Sequence, residues 1–241
     1  MGEVHVHGVT SAGERAAIEG AGGRAIVHGP LAAIASDAVE GTRAADLMRR
    51  HWHLLEATAA TATVVPVQFG TAMAGDAAVA DEFLAPRQDD LLAQLATLEG
   101  KVQMTVKGSY DETALLRSVV AGSPAIASLR ERVQSLPEAA SHFERIRLGE
   151  LVAAEVEQAR ERDAAWLLGA LDPIAVATSR ETASGLEAAV NAAFLVERDR
   201  VDEFSAAVGE LGRELAGRVR LRYVGPLPAY SFAGDGTWAW A

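Results

Sequence analysis

Six histidines and no cysteine set the range of chemistry open to this chain. His5 and His7 alternate with Val4 and Val6, a period of two that predicts a strand. On a strand their imidazoles share a face, about 6–7 Å apart, which could begin a metal site. A firm site needs a third ligand at defined spacing, and none follows. Two surface or half-buried strand residues are the plainer reading. His51 and His53 fall in a helical pattern, where a spacing of two points side chains apart. The absence of cysteine excludes disulfides, thiolate nucleophiles and Cys-ligated metals.

Carboxylate pairs are plentiful: Asp89 with Asp90, Glu155 with Glu157, Asp199 with Asp202. All lie in helical or loop surface pattern, where solvated faces are the expected state. Gly20–Gly23 and Gly234-Asp235-Gly236 are glycine-rich, but neither has the spacing of a phosphate-binding turn. No Ser-x-x-Lys or Gly-x-Ser-x-Gly occurs. No catalytic residue, cofactor site or metal site is assigned.

The elements that would carry these residues are mixed. Strands are expected over 4–9, 24–28 and 31–35, the last two joined by a Gly29-Pro30 turn. A helix is expected over 42–61, capped by Thr42, with Ala45, Met48, Trp52, Leu55 and Ala59 as its apolar stripe. The apolar stretch 64–70 reads as a strand, and Pro66 marks it as an edge or as starting just after the proline. Residues 76–98 read as helix broken at Pro86. In 101–107, Val102, Met104 and Val106 alternate with polar residues, the clearest half-buried strand in the chain. These elements predict a sheet with helices on one face.

From 112 to 171 the pattern is helical, broken at Gly122-Ser123-Pro124 and Pro137, with one long helix over 138–171. Strands return at 174–178, 190–197 and 219–224, with an amphipathic helix over 201–215. That β-β-α-β order resembles a ferredoxin-like unit. The expected fold class is α+β: two α+β domains with ferredoxin-like character joined by a helical segment. The boundaries fall at 1–111, 112–172 and 173–241.

Composition narrows the partners. With 33 acidic and 22 basic residues the net charge is −11. Nucleic acid requires a basic footprint, and anionic membrane surfaces repel an acidic chain, so neither is expected. No stretch approaches the roughly 18 apolar residues of a membrane span, and no signal peptide is expected from MGEVHVHGVT. The expected location is the cytoplasm.

Three segments together point further: VVPVQFGT (64–71), KVQMTVKGSYD (101–111) and RYVGPLPAYSFA (222–233). Their order and separation resemble the gas vesicle protein F/L family. Val6-His7-Gly8-Val9 and the segment IRLGELV (146–152) match two weaker motifs of that family. The departures are His5 and His7 in place of tyrosines, Ala229 in place of a proline, and Met104 in place of an aromatic.

The resemblance implies a non-enzymatic gas vesicle protein, located at the vesicle or in the cytoplasm, that is needed for vesicle assembly. Its implied partners are the main gas vesicle shell protein, a small and very apolar chain, and other accessory proteins. No cofactor is implied. Val67, Phe69, Gly70, Pro226, Pro228, Tyr230 and Phe232 are the family-motif and candidate partner-binding residues. The alternative is a small-molecule enzyme or sensor on a ferredoxin-like scaffold. Tyr230 and Phe232, two apart in an expected extended segment, should face the same way and act as a plug. The tail carrying Trp238 and Trp240 is expected to fold back on the body.

Overall fold

The computed structural model describes residues 2–39, 41–137, 140–181 and 188–234. The expected fold-back of Trp238 and Trp240 lies outside the described residues. The chain divides into two units. One comprises 1–104, 195–199 and 225–241; the other comprises 105–194 and 200–224.

The first unit is built on strands Val4–Ser11 (β1), Arg24–His28 (β2), Leu31–Asp37 (β3), Val65–Pro66 (β4) and Ala72–Met73 (β5). Their order is β2-β3-β1-β4, with β5 also pairing β1. All the pairings that β1 and β3 make are antiparallel. β3 is buried from Leu31 through Ser36, so both of its faces are covered. Leu31, Ala33 and Ala35 join one apolar cluster with Val4, Val6, Val9, Leu84, Leu91 and Leu95. Ala32 and Ile34 join another with Ile18, Leu54 and Leu55. Helix Ala44–Ala59 (α2) therefore covers one face and helix Gln88–Leu98 (α4) the other. This corrects the expectation of helices on one face only. A strand rich in alanine on both sides presents two faces that each need a cover.

A short helix Arg15–Gly20 (α1) adds Ile18 to the α2 side. Asp76–Ala78 (α3) leads into a π-helical stretch Val79–Leu84 and a 3-10 turn Ala85–Arg87 that carries Pro86. The expected break is there, taken up by changes of helical pitch. The stretch expected as a strand over 64–70 pairs over only two residues, Pro66 with Gly8 and Val65 with Val9. Pro66 sits in an edge strand, where its missing donor costs no ladder bond.

The second sheet has the order β7-β8-β6-β9, formed by Lys101–Tyr110 (β6), Ala177–Arg180 (β7), Ala188–Glu197 (β8) and Val219–Leu227 (β9). β6, β8 and β9 each contribute residues to both units. In the second unit three helices follow β6: Glu112–Gly122 (α5), Pro124–Ser135 (α6) and His142–Leu171 (α7). Asp111 caps α5 through the Ala114 amide, and Ser123 caps α6 through the Ile126 amide with Pro124 at its first position. Helix Val201–Glu214 (α8) buries Phe204, Val208 and Leu211. Phe204 lies against Phe194 of β8 at a centroid distance of 5.2 Å.

Candidate functional site

The histidine pair that opened the sequence reading is not a pair in the structure. The β1–β3 register slips between Val6 and Gly8, leaving His7 without a cross-strand partner. This is a bulge, which re-aims a side chain out of simple alternation. Val4, Val6 and Val9 share one cluster, so the strand changes phase across His7. The His7 ring reaches the face covered by α2. There its Nδ1 lies 2.9 Å from Nδ1 of His51, and its Nε2 lies 2.8 Å from Oγ of Ser36 on β3. His51 Nε2 in turn meets the hydroxyl of Tyr230.

The result is a chain of four polar groups: Ser36, His7, His51, Tyr230. His7 and His51 are buried, at 4% and 2% exposure. A neutral imidazole donates through one nitrogen and accepts through the other, so the chain is directional. If Tyr230 donates to His51, then His51 donates to His7 and His7 to Ser36. The opposite order runs from Ser36 to Tyr230. Burial holds the His51 imidazole well below its usual range, at about 4. Burial, followed by the neighbouring His51, His5 and Arg50, lowers His7 to about 3. Burial pushes the Tyr230 phenol upward. Both imidazoles and the phenol are therefore neutral near pH 7.

The cavity beside these groups, bordered by His5, Arg50, Phe69 and Thr71, has a volume of only about 30 Å³. That is room for a water or two, not for a substrate. Among the described residues, no group of three or more His, Asp or Glu side chains is placed to hold a metal ion. The arrangement can hold a segment in place. Tyr230 opens a 3-10 turn, Tyr230–Phe232, at the end of β9. The Ser231 amide donates to Oε1 of Gln103 at 2.8 Å, which fixes the same turn from the backbone.

The expectation that Tyr230 and Phe232 face the same way is therefore corrected. In an extended strand they would; in a 3-10 turn they diverge. Tyr230 packs beside the cluster under α2, and Phe232 packs against the cluster under α4. Of the other motif residues, Val67 is core and Phe69 is exposed at 36%. The Phe69 ring meets His51 edge-on at 5.5 Å. Gly70 turns the chain at φ +93°. Pro226 is exposed and Pro228 buried. Both border a cavity of about 120 Å³ together with Lys101 and Arg198. Those cations are already engaged. Arg198 donates to the Ala59 carbonyl at the end of α2, and Lys101 to the Thr97 and Glu99 carbonyls at the end of α4.

The structure thus brings Phe69 and Tyr230 together around His51, buries Val67 in the core and leaves Phe232 half-buried against it. His7, His51 and Ser36 were missed as a unit. The only signal for His51 was its place on α2: the buried stripe is His51, Leu54, Leu55 and Thr58, while Met48 and Trp52 are exposed. Tyr230→Phe removes one hydroxyl and leaves the buried His51 Nε2 without its partner. It should lower stability by about 1–2 kcal/mol, read from the urea midpoint at neutral pH. An unchanged midpoint would show that the turn is held by packing alone.

The family model described as gas vesicle synthesis protein GvpL/GvpF matches residues 3–234. Gas vesicle protein F of Streptomyces sp. (strain CB03234) is 38% identical over 211 residues, covering 87% of each chain. Gas vesicle protein F of Nostoc sp. (strain PCC 7120) is 24% identical over 171 residues, covering 71% of this chain and 69% of that one. The crystal structure of GvpF from Anabaena sp. PCC7120 superposes with a TM-score of 0.83 at 19% identity, covering 97% of this chain and 99% of that one. GvpF from Microcystis aeruginosa gives a TM-score of 0.75 at 18% identity, with 97% and 100% covered.

Proposed function

Because this chain belongs to the gas vesicle synthesis protein GvpL/GvpF family, we propose that it acts without catalysis in gas vesicle assembly, by binding the main shell protein. The carrying observation is the family match across 3–234. Physical chemistry supports the reading. A small, very apolar shell subunit would aggregate before assembly, and a partner of net charge −11 keeps a complex soluble. Among the described residues, no helix is long and apolar enough to cross a membrane. The work is done in the cytoplasm and at the growing vesicle.

The contact surface within this reading is the aromatic group around the His7–His51 chain. Trp52 and Phe69 are exposed at 38% and 36%, and the Trp52 ring packs against Tyr230 at a centroid distance of 4.9 Å, tilted by 51°. Exposed aromatics over a buried, hydrogen-bonded base are typical anchors for a partner. Val67 is buried, so the proposed contact surface leaves it out.

Two measurements test the proposal. Deletion of the gene in a vesicle-forming host should abolish or stunt vesicles under the electron microscope. Normal vesicles, with no second family member present, would sink the assembly role. Co-precipitation with shell protein should weaken about tenfold for Phe69→Lys, the loss of one aromatic anchor. Undiminished capture by a folded variant would move the contact elsewhere.

A further inference from the structure

β9 is the last strand of its sheet, and among the described residues no strand pairs with its outer side. Its residues from Arg220 to Val224 are exposed apart from half-buried Leu221. Tyr223 reaches 44% and Val224 55%. Successive strand residues point to opposite faces, so both faces of this stretch are uncovered, and the open edge follows from its terminal place in the sheet.

The charge of this edge is opposite to that of the chain. The Asp111 amide donates to the Arg218 carbonyl, which places the end of β6 beside the start of β9. A Cβ built at Gly108 would meet the Leu221 side chain at 3.2 Å. Leu221 and Gly108 therefore share a face, and by alternation Lys107, Arg220 and Arg222 share the other. Arg218 is paired with Asp163 at 2.8 Å, and Tyr110 donates to the same carboxylate. Lys107, Arg220 and Arg222 form no ion pair among the described residues. In a chain with eleven excess negative charges, Arg220 and Arg222 on the edge strand stand beside Lys107 of β6 with no ion pair among the described residues, and the carboxylates of Asp111 and Glu112 border the cavity that Arg220 lines.

We propose that the outer edge of β9 over Arg220–Val224 accepts an added strand from another protein, an extended segment in which Asp or Glu alternates with apolar residues. Backbone groups on the edge supply the pairing, and the arginines select the charge. A second copy of this chain is the wrong occupant. In the antiparallel β9–β9 register centred on Leu221, Arg220 of each copy would face Arg222 of the other, and like charges directly opposite destabilise a ladder. The proposal does not rest on shell binding.

The test uses the full chain and a fluorescein-labelled peptide of alternating Glu and Val, read by fluorescence anisotropy. Three controls accompany it: a Lys-for-Glu peptide, a peptide with alternate backbone amides methylated, and the Arg220→Glu/Arg222→Glu chain. The acidic peptide should bind in a salt-sensitive way, and the charge-reversed chain should lose about tenfold in affinity. The lysine peptide should not bind, and methylation should abolish binding. If charge reversal unfolds the chain by circular dichroism, Arg220→Gln/Arg222→Gln replaces it. Failure of the acidic peptide to bind would overturn the proposal. So would equal binding of the lysine or methylated peptide, unchanged affinity in the folded variants, or a dimer in sedimentation that the variants dissolve. The probe contains no shell protein, so this outcome and that of the shell co-precipitation are independent.

Discussion

Replacing Gly225 by alanine should lower the stability of this chain by about 3 kcal/mol or more. An alanine Cβ there would fall 2.5 Å from the Met104 sulfur and 2.9 Å from the Gln103 carbonyl oxygen, at a backbone φ of +155°. The methionine end can swing aside, but the carbonyl belongs to β6 and cannot. Both a steric and a conformational penalty therefore apply. The control is Gly149→Ala in α7, where nothing lies within 4 Å of the added atom. That change should be neutral or stabilise by up to about 1 kcal/mol, since glycine is a poor helix former. Urea unfolding of the two variants beside the parent decides it. Equal midpoints for Gly225→Ala and the parent would mean that the GPLP segment shifts freely against β6.

The second large effect is with pH. The folded chain holds His7 and His51 neutral, with values lowered to about 3 and about 4 from 6.5. Above about pH 6.5 both folded and unfolded chains carry neutral imidazoles, so these groups leave stability unchanged with pH. Below 6.5 the unfolded chain takes up protons that the folded chain refuses, and stability falls. The fall continues until pH nears the folded values, with a slope of at most about 1.4 kcal/mol per pH unit for each histidine. His5 from β1 and Arg50 from α2 face the pair and oppose the added charge, while Ser36 and Tyr230 bring no charge. Carboxylates add their own slope at the acid end, so the readout is a difference. Urea midpoints between pH 7.5 and 4.5, an interval spanning the shift, should fall less steeply in a His7→Gln/His51→Gln chain than in the parent. Parallel slopes would show that protons enter the folded pair freely.

Much of the architecture was legible because local signals were strong. α5, α6 and α7 lie where Ser123-Pro124 and Pro137 divide the helical pattern, and β6 lies where apolar residues alternate. The misses have physical causes. α1 has six residues, too few to show a helical period. β7 begins at Ala177, not at 174, because a turn at the end of α7 takes the intervening residues: the Ile174 and Ala175 amides donate to the Leu171 carbonyl. Thr42 does not cap α2. Its hydroxyl bonds the Val39 carbonyl, and the helix starts two residues later. The insertion of β6 between β8 and β9 is a long-range pairing with no local signature.

The candidate site was half legible. Phe69 and Tyr230 were picked out through motifs whose chemistry is aromatic. His7 and His51 give no signal through spacing, because neither finds its partner near it in sequence. His7 meets a residue 44 positions away, and Tyr230 lies 179 positions beyond His51. A hydropathy stripe cannot count a histidine as core, so α2 was rotated in the reading by about one residue.

The bulge in β1 bears on how such a site can be gained or lost over generations. Without His7, the residues Val4, His5, Val6, Gly8 and Val9 would alternate in one unbroken phase, with the three valines on the same cluster. His7 thus occupies the one position of this stretch that the valine alternation does not use. Its side chain can change and leave the valine cluster and the hydrogen bond from the Val67 amide to its carbonyl in place, while the Ser36–Tyr230 relay is cut. Substitution at this one position is therefore a mark by which relatives with and without the relay can be sorted.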